Sequence, residues 1–162
     1  MNTRAMLGGA TATVMIVGAI AASVRTHDLA GDKSRLEHSL SAYELSALQA
    51  ARSYATTFAT YRYDDLDADF AATEAHSVDP FLSQYRSTTG QLRDTLTKAR
   101  ATSSAKIISA GLAAISSGQA VVDLFLDQTI VNARGSHEDA QRVEMTLVRR
   151  DDRWVISNVV LP

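Results

Sequence analysis

The stretch AVVDLFLDQTIV, residues 120–131, has a period of two in its apolar side chains. One face of the predicted strand carries Ala120, Val122, Leu124, Leu126 and Ile130, and the other carries Val121, Asp123, Phe125, Asp127 and Thr129. Because successive side chains of a strand point to opposite faces of a sheet, we expect one buried and one solvated face. Phe125, with Val121 and Val131, is the apolar exception on the solvated face. It indicates either a contact surface for a partner or the ordinary wet side of a sheet.

Further strands are predicted on both sides of this stretch, because the period of two runs from Thr102 to the end of the chain. In chain order we expect a strand over residues 105–115, a turn over 116–119 and the strand over 120–131. A polar loop over 132–139 and a strand through Val143, Met145 and Leu147 follow. After a tight turn at Asp151-Asp152, a last strand carries Trp154, Ile156, Asn158 and Val160 on one face. Short turns between strands of this kind predict an antiparallel meander.

The part of the chain before these strands has a helical period. Apolar side chains recur every three or four residues at Leu36, Leu40, Tyr43, Ala47, Ala51, Tyr54, Phe58 and Tyr61, which predicts one long helix with a single apolar stripe. Ala and Tyr in that stripe are more typical of a helix that packs under a sheet than of a coiled-coil stalk. A second helix is predicted to reach about His76. A third follows Asp79, which can cap it, and Pro80, which suits a first helical position.

Helices followed by a meander predict an α+β fold, in which about three helices pack on a curved four-stranded antiparallel sheet. The 162 residues suffice for one such domain and an N-terminal anchor. The net charge of −2 gives no reason to expect nucleic acid as a partner. The absence of Cys excludes disulfides, a thiolate nucleophile and a Cys-based zinc site.

The N-terminal segment differs from the rest. Residues 6–24 form an uncharged run of 19 residues, close to the ~20 that cross a bilayer as a helix. We expect a cytoplasmic tail over residues 1–5, a retained signal anchor over 6–24, a tether over 25–35 and an extracytoplasmic domain over 36–162. The alternatives are a signal peptide cleaved after Ala19-Ile20-Ala21 and a buried Ala-rich helix. The positive charges do not fix the orientation, and the short tail before a large domain favours an outside C-terminus.

Four segments, in this order, resemble the Mce-associated membrane proteins of actinobacteria. They are ARSYATTFATYRYDDLDADF, FLSQYRSTTGQLRDTL, AVVDLFLDQTIV and RVEMTLVRRDDRWVISNVV. The resemblance covers about residues 36–162 and implies the cystatin-like cone shared by nuclear-transport-factor-2-like (NTF2-like) and VirB8-like domains. It also implies a non-enzymatic subunit without a cofactor that assists a Mce lipid transport system, with Mce proteins and a lipid permease as partners.

Two alternatives stay open, because one fold can host several functions. The first is an NTF2-like small-molecule binder or enzyme that uses the cavity between sheet and helices. An apolar ligand there would need a pocket of roughly 300 Å³ or more. The second is a VirB8-like scaffold of a secretion or conjugation machine.

The acidic stretch YRYDDLDADF, residues 61–70, is the strongest candidate for a metal site. It contains Asp64, Asp65, Asp67 and Asp69. The alternation from Asp65 onward matches the opening of an EF-hand loop, which also needs Gly at its sixth and Glu at its twelfth position. Phe70 and His76 occupy those positions, so we predict no metal. Carboxylates at the start of a helix interact favourably with its dipole, and this is the interpretation we adopt.

The remaining polar candidates give weaker signals. His27, His38, His76 and His137 form no zinc-binding spacing, and only His76 could form a dyad with Asp69 or Asp79. Asp123, Asp127, Arg142 and Glu144 either line a polar cavity or form the wet side of the sheet. Arg149, Arg150 and Arg153 are predicted to lie at a solvated hairpin tip. We therefore assign no catalytic, cofactor or metal residues.

Overall fold

Residues 120–131 lie in the central strand of an antiparallel sheet. The computed structural model describes residues 42–161. Its strands are β1 Tyr61–Arg62, β2 Thr102–Ile115, β3 Gln119–Asn132, β4 Gly135–Arg150 and β5 Arg153–Val160. They follow one another across the sheet in sequence order and each neighbouring pair is antiparallel, so the predicted meander is confirmed. The sheet has five strands instead of the predicted four, because the two-residue β1 pairs with the start of β2.

The helices pack on one face of this sheet, which we call the inner face. Helix α1 occupies residues 42–59 of the described chain, α2 is Leu66–Glu74 and α3 is Phe81–Ala99. Every fourth residue of α1 from Ala47 to Ala59 is a buried alanine, and residues four apart lie on one face of a helix. The small side chains let the sheet approach closely, as the sequence predicted. The sheet contributes Ala120, Val122, Leu124, Leu126, Val143, Met145, Leu147, Trp154 and Ile156 to the shared core.

Two bulges bend β2. The register against β3 shifts between Ile107 and Ser109 and again between Leu112 and Ala114. The partly buried side chains follow this shift, since they are Ala105, Ile107, Ala110, Leu112 and Ile115. A bulge bends its strand and increases the local twist, so β2 departs from a straight strand at both positions.

One bulge also corrects the prediction for the last strand. Trp154 and Ile156 are buried as expected, but Asn158 and Val160 are exposed. The register between β4 and β5 shifts between Thr146 and Leu147, which leaves one extra residue in β5. Because an extra residue moves every later side chain to the opposite face, the single shared face over residues 154–160 was wrong.

The polar loop predicted over residues 132–139 was also wrong. β3 and β4 pair without interruption from Gln119–Val148 to Asn132–Gly135, and the connection is a tight turn at Ala133 and Arg134. In this turn Asn132 Oδ1 accepts a hydrogen bond of 2.8 Å from the Arg134 N–H, and Gly135 has φ 138°. Residues 136–140 of β4 are all exposed, so both faces of this part of the strand meet water, in keeping with its polar sequence.

Smaller differences occur at the helix ends. Helix α1 ends at Ala59, so Tyr61 lies in β1, although it still packs against the core. Helix α2 ends at Glu74, before His76, because the next residues pair with β5. Ile156 N–H donates to His76 O at 2.7 Å, and Val78 N–H donates to Ile156 O at 2.9 Å.

Helix α3 begins one residue later than predicted, because Pro80 occupies the N-cap position and Phe81 is the first helical residue. Asp79 Oδ1 accepts hydrogen bonds from the N–H and the hydroxyl of Ser83, at 3.1 and 2.6 Å, and Pro80 directly precedes the helix. The tail, anchor and tether expected over residues 1–35, with His27 and His38, lie outside the described residues. No helix within residues 42–161 is long and apolar enough to cross a membrane.

Candidate functional site

The acidic stretch forms the connection between β1 and α2, and its carboxylates have partners within it. Arg62 guanidinium nitrogens lie 3.2 Å from Asp64 and 3.7 Å from Asp65. The Arg62 backbone N–H donates a hydrogen bond of 2.7 Å to Asp69 Oδ2. These contacts hold the chain in a turn.

The other carboxylate of this stretch links two helices. Asp67, in the first turn of α2, lies 2.6 Å from Arg93 of α3. Leu66 and Phe70 are the buried residues beside it, as expected for a helix start. Within the described chain no three His, Asp or Glu side chains converge as metal ligands would. The ion pairs of these carboxylates support a structural role for the Asp cluster. The absence of bound metal remains a prediction.

His76 has an aromatic partner. Its ring stacks on Tyr54, with centroids 4.6 Å apart and an interplanar angle of 22°. Asp69 accepts a hydrogen bond from the Arg62 N–H, and Asp79 accepts one from Ser83. In the part of the chain described, neither carboxylate forms an ion pair with His76. His137 lies in β4 instead of a loop, 3.5 Å from the exposed Asp139.

The three arginines near the last turn differ in their surroundings. Arg149 lies over the rings of Tyr43 and Trp154, at 5.4 and 5.5 Å, and 3.4 Å from Asp152. Arg150 and Arg153 are exposed and face each other across the turn. Arg150 and Arg153 thus form the solvated hairpin tip that the sequence predicted, whereas Arg149 packs against aromatic rings.

The outer face of the sheet, away from the helices, carries an exposed aromatic ring. Phe125 is 50% exposed in the middle of β3, although it belongs to the central strand. It faces Ser109 of β2 and Arg142 of β4, and Ile108, next to Ser109, is 52% exposed. An apolar surface of this kind in the centre of a sheet indicates a contact with another molecule.

A hollow lies beside Phe125 because β2 has small side chains there. Its volume is about 340 Å³, and it is lined by Ser109, Ala110, Gly111, Leu112, Ala113, Asp123 and Phe125. Asp123 Oδ1 is buried and accepts no hydrogen bond within residues 42–161. A cation lies beside it, since Arg142 Nη2 is 3.8 Å away. We call Phe125 and this hollow the outer site.

The polar group predicted on this face is only partly assembled. Asp123 and Glu144 are direct partners across β3 and β4, and Arg142 lies next to both. Asp127 is separate, because it faces Lys106 of β2 and Ala140 of β4. The group therefore flanks the outer site and does not enclose a cavity of its own.

A second cavity lies on the inner face, between α1, α3 and the strands β3 and β4. Its volume is about 320 Å³, and it is lined by Phe58, Ala59, Tyr61, Phe70, Tyr85, Thr88, Thr89, Leu92, Leu96, Leu126, Gln128, Gln141, Val143 and Leu161. Leu92 and Leu161 are 45% and 56% exposed, so apolar side chains extend to the surface. The volume meets the size expected for a small apolar ligand.

Few polar groups line this inner cavity. Gln128 Nε2 donates to Ala59 O at 3.2 Å and to Ser103 Oγ at 2.8 Å, which directs its amide toward β2. Burial raises the pKa of Tyr85, so its hydroxyl stays neutral at physiological pH. The cavity thus offers apolar surface and neutral hydrogen-bonding groups.

Neither cavity was predicted in detail from the sequence. Phe125 was singled out, but the hollow beside it was not. Its signal is the run of small residues at Ser109, Gly111 and Ala113, which alternates along the strand next to β3. The inner cavity has no comparable signal, because its lining comes from elements far apart in the chain.

Comparisons with known proteins support the fold. No protein-family model and no curated protein matches the chain. The periplasmic domain of DotI superposes with a TM-score of 0.62 at 17% identity, over 72% of this chain and 92% of that one. An IcmL-like type IV secretion system protein from Legionella pneumophila gives 0.63 at 9% identity, over 74% and 91%. VirB8 of Agrobacterium tumefaciens gives 0.52 at 13% identity, over 72% and 90%.

At these identities the likeness concerns the fold. The chain has the α+β architecture of NTF2-like, VirB8-type domains, in which helices pack on a curled antiparallel sheet, so the predicted fold class is confirmed. The same fold occurs in the periplasmic domain of DotI and in an IcmL-like type IV secretion system protein. None of these comparisons shows the Mce-associated family.

Proposed function

We propose that this chain is a membrane-tethered, extracytoplasmic scaffold domain that joins a multi-protein membrane complex and performs no catalysis. One observation carries the proposal: the half-exposed Phe125 ring beside a hollow in the centre of the sheet. Buried aromatic anchors in pockets supply much of the binding energy of protein interfaces. The arrangement offers a partner both a ring to enclose and a hollow to fill.

Two membrane complexes fit this role. The fold shared with an IcmL-like type IV secretion protein and with VirB8 supports a secretion or conjugation machine. The sequence segments quoted above support a Mce lipid transport system, with Mce proteins and a lipid permease as partners. The structural likeness makes the scaffold of a secretion or conjugation machine the stronger proposal. Proteins that co-purify with the full chain from its own membranes distinguish the two.

The outer site is tested with Phe125→Asp in the full chain. A charge on a buried apolar contact is costly, so we expect the co-purified complex to fall roughly tenfold or more, as for loss of a contact worth ~2 kcal/mol. Leu45→Asp is the control, since Leu45 is 54% exposed on α1, away from the outer site. An unchanged amount of complex with a folded Phe125→Asp chain, checked by circular dichroism, would show that the outer site is not the contact.

The inner cavity favours a second candidate, a small-molecule binder. Its apolar lining suits a small, mostly apolar ligand. Solvent extraction of the purified full chain, followed by mass spectrometry, identifies any bound molecule. Leu92→Trp should narrow the mouth and lower its recovery, whereas Gln91→Trp, on an exposed part of α3 outside the lining, should not. Recovery that is equal in both variants would rule out this cavity as the binding site.

A further inference from the structure

The first half of β4 has a strand partner on one side only. β3 pairs with β4 from Gly135 to Val148, whereas β5 pairs with it only from Glu144 onward. Within residues 42–161, no backbone group of residues 136–142 hydrogen-bonds to an element other than β3. Alternate N–H and C=O groups of this segment therefore point away from the sheet, where another strand can pair with them. We call residues 136–142 the free edge.

The opposite side of the sheet is less suited to such pairing. β2 is bulged at Ile108 and at Ala113, and β1 covers its first residues. Bulges and charged side chains are features that protect an edge from pairing with another chain. The free edge has no bulge, and its charged side chains have both signs. A strand of complementary charge can therefore pair with the free edge.

Symmetry restricts how two copies of this edge can pair. In an antiparallel pair only every second residue directs its N–H and C=O groups toward the partner. A residue whose backbone groups point toward the partner must face another such residue. An odd-numbered residue therefore faces an odd-numbered one, and an even-numbered residue faces an even-numbered one. The two-fold axis then passes through a residue position. The outer faces of the two sheets lie on the same side.

Charge selects one of these registers. An axis at Glu138 or Asp139 places two carboxylates face to face, which is destabilising. An axis at Ala140 places Glu138 of each copy opposite Arg142 of the other and brings two small side chains together at the centre. An axis before Glu138 or beyond Ala140 shortens the pairing, since the turn to β3 precedes Gly135 and β5 occupies the edge from Glu144.

We propose that two copies of this chain pair along the free edge, antiparallel, with the two-fold axis at Ala140. Glu138 has no ion-pair partner within the described chain, and Arg142 is 53% exposed with Asp123 at 3.8 Å. Both side chains are thus available to a second copy. The pairing joins the two sheets into one and presents both Phe125 rings on the same side of it.

Cross-linking of the full chain in its own membranes tests the position of the axis. The chain contains no Cys, so Ala140→Cys supplies a single thiol at the axis. Facing Cβ atoms of a strand pair lie ~4.5–5.5 Å apart, close to what a disulfide requires. Mild oxidation should produce a disulfide-linked dimer. Ala72→Cys, an exposed position on α2 outside both the free edge and the outer site, is the matched control and should remain monomeric.

Charge exchange tests the register. In the Ala140→Cys background, Glu138→Arg alone and Arg142→Glu alone turn two attractive pairs into repulsive ones, and each should lower the dimer fraction by roughly tenfold. The combined exchange restores both pairs and should restore the dimer, which distinguishes a lost contact from a lost fold. Single variants without effect, or a combined variant without recovery, would overturn the register. A monomeric wild-type chain in mild detergent, or an Ala140→Cys chain cross-linked to a different protein, would overturn the pairing of two copies.

Discussion

Trp154 fixes the last strand to helix α1. Its side chain is 4% exposed, its ring centroid lies 5.0 Å from that of Tyr43, and its Nε1–H donates a hydrogen bond of 2.9 Å to Ser46 Oγ. The sequence predicted a core residue from the tight turn before it and the alternation after it, and that prediction is confirmed. The hydrogen bond to α1 was not predictable, because Ser46 lies 108 residues away in the chain.

Truncation of Trp154 should therefore destabilise the domain strongly. We expect Trp154→Ala to lower the free energy of unfolding by ~3–5 kcal/mol, a large share of the ~5–15 kcal/mol of a typical domain. Trp154→Phe keeps an aromatic ring and loses the hydrogen bond to Ser46, so it should cost less. Urea unfolding followed by circular dichroism measures both. A midpoint for Trp154→Ala within error of wild type would contradict the packing of β5.

At the scale of elements, the β3–β4 hairpin differs most from its prediction. Polar residues after Asn132 indicated a loop, yet they form the first half of a long strand. The backbone of β3 needs hydrogen-bond partners along its whole length, and β4 supplies them up to Gly135. The free edge, and with it the proposed pairing of two copies, exists because this strand extends beyond β5.

The turn of this hairpin depends on Gly135. A side chain at φ 138° is strained, so Gly135→Ala should lower the free energy of unfolding by more than ~1 kcal/mol. Gly118→Ala, in the β2–β3 turn, is the control, because an added Cβ meets no atom within 4 Å at either glycine and only Gly135 has a positive φ. Thermal unfolding of the two variants compares them. Equal melting temperatures would show that the turn tolerates a side chain there.

At the scale of the whole molecule, the described domain and its expected anchor have separate tests. The VirB8-type fold is shown for the domain, and periplasmic domains share it. Retention of residues 6–24 as a membrane helix remains a proposal that follows from their uncharged length. Mass spectrometry of the chain from the membrane fraction should find the N-terminal segment intact. A mature chain that begins at Ala22 would identify the segment as a cleaved signal peptide.

The candidate sites were less accessible to sequence reasoning than the fold. Phe125 could be singled out because one apolar residue on a polar face breaks a local pattern. The inner cavity combines Phe58, Leu92 and Val143, whose separation in the chain hides their proximity in space. The Asp cluster could be assigned to a helix start from local rules, but its pairing of Asp67 with Arg93 needed the packing of α2 against α3.

The sequence by itself determined the α+β class, the antiparallel meander and the alanine face of α1, because these depend on side-chain periods of two and about 3.6 within short segments. The tertiary structure alone decided the bulges of β2 and β5, the length of β4 and the two cavities. These depend on how each backbone hydrogen-bonds to its neighbour and on how side chains from distant elements fill the space between them, and no local period records either.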